Sequence, residues 1–200
     1  TGITAAFATM VALHSGVGQV VDVNLLTTVF QLMGPVISLY KLSGELQPRL
    51  GSGLPYSVPR GVYQCSDAKW VGISASSDSV AARVMEVLGV RGDDRFSTFA
   101  GRMANRELLE QLMIDWCAAR TRDEVVATLA AAEAAVGPVF DMADIATDEH
   151  YAARQMIPVV GSTPMQGLIA QLSKTPGVLG WEGQPLDADR EDILKRGWKQ

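Results

Sequence analysis

His14 and His150 are the only imidazoles in this chain, Cys65 and Cys117 the only thiols, and Ser74, Ser76, Ser77 and Ser79 form a cluster of hydroxyls. Together they invite three chemistries: metal binding, acid–base catalysis and nucleophilic attack. Each has a spacing requirement. No cysteine or carboxylate stands at metal-ligand spacing around either histidine, so no metal site is expected. Asp148-Glu149-His150 offers acid and base groups side by side. It precedes an apolar–polar helical pattern, however, where acids simply favour the positive end of the helix dipole. The serines have no nearby histidine to act as base and read as a turn and a helix cap. Gly51-Ser52-Gly53 lacks the Lys-Ser/Thr signature and the strand-to-helix setting of a nucleotide phosphate loop. Asp22 sits at a strand-to-helix junction, where local hydrogen bonding accounts for it without catalysis.

These residues are positioned by elements that the hydrophobic pattern outlines. Thr4 to Leu13 reads as a helix buried on most sides, stopped by Ser15-Gly16-Val17-Gly18. Gln19 to Val23 alternates as a short strand, and Asn24 is placed to cap a helix with Leu25, Leu26, Val29, Phe30 and Met33 on it. Pro35 should kink or divide that helix near Met33. Residues 44–61 hold Gly44, Pro48, Gly51, Gly53, Pro55, Pro59 and Gly61, the density of an extended linker or a site loop, and mark a first boundary. Gly61 to Cys65 and Trp70 to Ser74 then read as a hairpin around Ser66-Asp67-Ala68-Lys69. Asp78 is placed to cap a helix carrying Val80, Val84, Val87 and Leu88, which Gly89 ends. Asn105 is expected to cap a helix with Leu108, Leu109, Leu112, Met113 and Trp116, and Thr121 with Glu124 forms a capping box for the next. Gly137-Pro138 should close that helix, and Asp141 should open a helical turn running to Asp148. Met156 to Val160 is strand-like, residues 162–186 are rich in Gly and Pro, and a last helix over Asp187 to Arg196 is anchored by Ile193 and Leu194.

Composition bounds the partners. A chain with 48% hydrophobic and 20% charged residues, and a mean hydropathy of +0.13, has enough apolar material for a core. Its net charge of −5 leaves no basic stripe, which disfavours nucleic acid as a partner. Apolar runs are broken by Gly, Pro or polar residues before they reach spanning length, and no leader pattern stands out, so neither membrane insertion nor secretion is expected. Cys65 on an apparent strand and Cys117 on the buried stripe of a helix fit packed, reduced thiols and a cytoplasmic setting.

One combination of motifs is specific. Thr1-Gly2 with its following helix, Gly18 to Leu26, Arg49-Leu50-Gly51, Gly61-Val62-Tyr63, Arg95-Phe96 with Arg102 and Asn105-Arg106, Arg120-Thr121, and Gly137 to Met142 followed by Asp148 and His150 occur in one order and spacing. In these blocks the chain resembles the family III coenzyme A transferases, which include formyl-CoA transferase, carnitine CoA-transferase and alpha-methylacyl-CoA racemase. The resemblance spans nearly the whole chain and corresponds to the C-terminal half of a family member. It implies an α/β fold: residues 1–45 as the helix and linker leaving a Rossmann-like large domain, 46–154 as a small α/β domain, and 155–200 as a segment returning to the large domain. The family's nucleophilic aspartate is expected just upstream of Thr1, so no catalytic residue is expected in this chain. Asp22 matches an aspartate of the family block that follows the Gly-Gln pair.

The resemblance further implies transfer of coenzyme A from an acyl-CoA to a carboxylic acid through an aspartyl-CoA intermediate, with no metal or redox cofactor and an interlocked homodimer in the full-length family. By the same resemblance Arg49 to Gly61 matches the part that carries a loop over the reacting thioester. There Gly51 and Gly53 would let the backbone approach the acyl group and offer amides to a developing oxyanion. An ordinary linker is the other reading of that stretch. Three departures stand out: a turn of only three residues between His14 and Gly18, no run of consecutive glycines such as formyl-CoA transferase carries, and Ala75 where the racemase has an acid–base glutamate. A methyl group moves no proton, which weighs against racemisation. An acyl-CoA racemase or isomerase and a noncatalytic interaction fragment are the alternatives. As a fragment the chain is expected to be inactive and to expose apolar surface on residues 1–40.

Overall fold

The computed structural model describes residues 1–75 and 77–197. The opening run of small and apolar residues forms a helix, α1 (Gly2–Ser15), that ends at Gly16, whose left-handed backbone (φ 70°) turns its N–H onto the Leu13 carbonyl. The strand expected over Gln19 to Val23 does not form. Alternation specifies a face, but a strand also needs a partner edge, and among the described residues the sheets are built without this segment. Asn24 does cap the next helix, α2 (Leu25–Leu32), accepting the Thr27 N–H at 2.9 Å. Pro35 then separates α2 from α3 (Val36–Ser43), and the two are bent by 71°. No side chain of α1, α2 or α3 is buried. No single helix among the described residues is long and apolar enough to cross a membrane.

The chain divides into two compact units, Thr1–Val62 with Ser74–Gln111, and Tyr63–Ile73 with Leu112–Gln200. The first holds α1 to α3, the loop that follows, α4 (Asp78–Val87), α5 (Phe99–Ala104) and the start of α6 (Arg106–Ala118). Val58, Ala75, Ala81, Val84, Met85, Phe96 and Leu109 are among its buried apolar residues, each of the larger ones contributing roughly 1.5–3 kcal/mol. Ser77, not Asp78, caps α4, accepting the Val80 N–H, while Asp78 is the first helical residue. Asn105 closes α5, its amide donating back to the Gly101 carbonyl at 2.9 Å, and stands directly before α6, where its carbonyl accepts the Leu109 N–H at 3.1 Å. The expectation missed α5 because Gly101 interrupts its pattern. Gly101 is required there, since a Cβ would lie 2.8 Å from the Arg95 carbonyl oxygen.

The second unit contains most of a three-stranded sheet of order β1 (Arg60–Gln64), β2 (Trp70–Ser74), β3 (Ala135–Val139), and the division between units passes through the ends of β1 and β2. Tyr63, Val71 and Ile73 are buried while their strand neighbours are more open, the alternation of a half-covered sheet. Met113 and Cys117 on α6, and Val125 and Leu129 on α7 (Arg122–Ala131), are buried pairs four residues apart. The capping box of α7 is formed, with Thr121 and Glu124 bonding reciprocally. That helix stops well before Gly137-Pro138. Glu133 takes a positive φ of 53°, the Ala134 N–H returns to the Leu129 carbonyl, and residues 135–139 extend as β3 against α7. Pro138 is tolerated because β3 lies at the edge of the sheet, where a missing N–H is affordable. Asp141 caps α8 (Met142–Thr147) as expected, and Asp148 caps α9 (Glu149–Ala153). Of the strand expected over Met156 to Val160, only β4 (Val159–Val160) forms, paired antiparallel with β5 (Thr163–Pro164), and α10 (Arg190–Arg196) is the last helix.

Candidate functional site

The loop that holds Gly51 and Gly53 is a pinned structure. Gly51 adopts a left-handed φ of 59°, and the Gly53 N–H bonds the Leu50 carbonyl at 3.0 Å. Ser52 Oγ accepts the Val62 N–H at 2.9 Å, tying the loop to β1. Leu54-Pro55-Tyr56-Ser57 then forms a turn in which Ser57 N–H reaches the Leu54 carbonyl at 3.4 Å, with proline at its second position presetting φ. Ser57, Val58 and Pro59 are buried. Past them, the Ala75 N–H donates to the Pro59 carbonyl at 3.0 Å.

Two arginines four residues apart hold this loop. Arg106 Nη2 donates to the Leu54 carbonyl, and to the Ser57 carbonyl at 3.0 Å. Arg102, with 1% of its side chain exposed, directs Nε at the Val58 carbonyl and Nη1 at the Phe96 carbonyl, both at 3.4 Å, and pairs with Asp78 through Nη2 at 2.6 Å. A buried guanidinium needs such partners, because an unpaired charge away from water costs several kcal/mol, roughly 3–5. Gly53 sits against the same group: an added Cβ would lie 3.3 Å from the Leu50 carbonyl oxygen and 3.6 Å from Arg106 Nη1.

In the second unit Arg122 organises a separate polar centre. Its guanidinium meets both oxygens of Asp144 at 2.6 and 3.1 Å, its backbone N–H donates to Asp67 at 3.2 Å, and Lys69 reaches Asp144 at 3.3 Å. The Arg122 guanidinium first, then the Asp141 backbone N–H at 3.2 Å and Lys69, hold the Asp144 carboxyl well below the usual carboxylate range. Desolvation pushes the Cys65 thiol up and that of Cys117 up to about 12, so both are inert packed thiols at neutral pH. His14 stands exposed at the end of α1, and His150 lies exposed in the first turn of α9, where Asp148 accepts its N–H and that of Tyr151 as a cap. Among the described residues no group of His, Cys, Asp or Glu could hold a metal ion. Ser77 serves as a cap, as the serine cluster suggested, while Ser76 lies outside the described residues.

The model of CoA-transferase family III matches residues 1–190. The chain belongs to that family. Family III relatives include a succinyl-CoA–D-citramalate CoA-transferase of Chloroflexus aurantiacus, 31% identical over 95% of this chain and 50% of that protein. The alpha subunit of a succinyl-CoA–L-malate CoA-transferase from the same organism is 30% identical over 91% of this chain and 44% of its own length. A family protein of the CAIB/BAIF type from Brucella suis superposes with a TM-score of 0.76 at 24% identity, over 96% of this chain and 52% of that one, a likeness of fold. The chain thus spans about half the length of the relatives it matches.

Within this family III chain, the sequence singles out Gly51 and Gly53 as candidates, whereas the arginines that grip their loop enter it only as motif matches without a role. The available signal was the i, i+4 spacing of Arg102 and Arg106 beside a segment with two prolines.

Proposed function

We propose that this chain is the C-terminal half of an enzyme that moves coenzyme A from an acyl-CoA to a carboxylic acid. In the family reaction an aspartate oxygen attacks the donor thioester, the C–S bond breaks, and a mixed anhydride and CoA thiolate result. The thiolate then attacks the aspartyl carbonyl, releasing the donor acid and leaving an aspartyl-CoA thioester. The acceptor carboxylate attacks that thioester, and the returning thiolate carries off the new acyl group, regenerating the aspartate. Splitting one exchange into such steps is nucleophilic catalysis by a carboxylate. The loop of residues 51–61 is our candidate for the segment that faces the acyl group, with Gly51 and Gly53 the residues that let the backbone come close. The proposed organisation is the one the resemblance implies: 1–45 leaving a large domain, 46–154 as the small domain, 155–200 returning, in an interlocked cytoplasmic homodimer.

The observation that carries this reading is the match of one family over residues 1–190 at half the relatives' length. The open apolar flank supports it: Phe7, Leu13, Leu26 and Leu32 are all more than two-thirds exposed, a surface that asks for a covering domain. Ala75, buried and without a titratable side chain, argues against racemisation.

The test is an assay of two polypeptides, this chain alone and the chain carrying the residues its reading frame encodes upstream. With succinyl-CoA and malate or citramalate as first probes, the longer polypeptide should transfer CoA and the shorter should not. Turnover by the 200 residues alone would overturn the half-enzyme reading, and no turnover by either with any acyl-CoA and acid pair would overturn the transfer reading.

A further inference from the structure

We propose that Arg106 is a positioning residue whose grip on the turn Leu54–Ser57 presents Tyr56 to the acyl part of the substrate, an inference that rests on the transferase reading above. A peptide ahead of a proline has a carbonyl but no N–H, so it cannot bond reciprocally with a neighbouring strand. Leu54-Pro55 and Val58-Pro59 are two such peptides in one loop. Each of their carbonyls is taken by a guanidinium, Leu54 by Arg106 and Val58 by Arg102, and Arg106 takes Ser57 as well. Both arms of the turn are therefore anchored by charged donors, the stronger kind of hydrogen bond. At Gly53 an added Cβ would press on the Leu50 carbonyl oxygen at 3.3 Å and meet Arg106 Nη1 at an ordinary contact distance of 3.6 Å.

What the anchored turn holds out is a tyrosine. Ser57, Val58 and Pro59 are buried, yet Tyr56 is 65% exposed. Turn positions are enriched in Gly, Pro, Asn, Asp and Ser, so a tyrosine here is not called for by the turn itself. An aromatic ring there leaves a large apolar surface wet with a phenol at its end. That combination suits a substrate with a short carbon chain ending in a polar group, such as an acyl thioester of a small acid.

Two measurements decide it. Hydrogen exchange on the 200-residue chain should show R106A speeding exchange at residues 51–58 by about tenfold or more while α7 keeps its rates, with R106K recovering only part, since an ammonium lacks the guanidinium fork. In the longer polypeptide, Y56A should change the ratio of kcat/KM between two acids of different chain length by about tenfold, with Y56F close to the parent for the purely apolar one. Unchanged exchange in R106A, or an equal rise in α7, overturns the clamp. A Y56A enzyme whose acid preference stays within about twofold of the parent overturns the role of the ring. Absence of transfer in the unsubstituted longer polypeptide, with the exchange result intact, removes the reaction and the role of Tyr56 with it but leaves the clamp standing.

Discussion

Arg102 and Arg122 are both nearly buried cations, and they solve the same problem differently. Arg102 spreads its donors over two carbonyls and one carboxylate, whereas Arg122 gives two donors to Asp144 in the planar fork that matches a carboxylate. Asp144 is held ionised below its ordinary range, so its contribution to stability is fully present above the unfolded carboxylate value, about pH 4, and fades as pH falls below that toward its lowered value. Urea melts of the parent and of D144N should therefore differ at pH 7 and converge as the pH drops toward 2. The two thiols make a second prediction at this scale. With Cys117 raised to about 12 and Cys65 raised by burial, iodoacetamide at pH 8 should label neither in the folded chain and both in urea. Sequence revealed the thiols as packed because Cys65 falls on an apparent strand and Cys117 on the apolar stripe of a helix, and both are buried. It could not reveal what the arginines touch, since Arg102 reaches a carbonyl 44 residues away and Arg122 a carboxylate 22 residues away.

Elements were legible where a local rule closes on itself. The Thr121–Glu124 box needs only four neighbouring residues, and it is formed. T121A should cost about 1 kcal/mol in a denaturant melt, the usual worth of an N-cap. The Gln19 to Val23 strand and the late end of α7 were misread because their outcome depends on a partner: the first pairs with no strand among the described residues, and the second gives way to β3, which packs on α7. Helix α5 hides for a related reason, its glycine being required by the Arg95 carbonyl. G101A should destabilise by about 1–3 kcal/mol, the cost of overpacking a tight contact, instead of gaining from alanine's higher helix propensity.

For the whole molecule, the family assignment came from the order of motifs that are individually weak, while the division into two compact units was beyond reach, since it cuts through β1, β2 and α6. The open helices α1 to α3 set the solution behaviour. The purified chain should bind a hydrophobic dye and self-associate as concentration rises, and replacing Phe7 and Leu26 with aspartate should suppress both. Because neither side chain is buried, each substitution should change folding stability by no more than about 0.5 kcal/mol in the melt.

Proline at position 138 bears on what form such association takes. β3 is the outermost strand on its side, and a proline among its five residues leaves the strand one backbone donor short. At that margin the sheet is a poor seed for fibril growth. Clumping of the chain should be reversible contact between oily helices, dissolved by mild detergent and silent to amyloid stains.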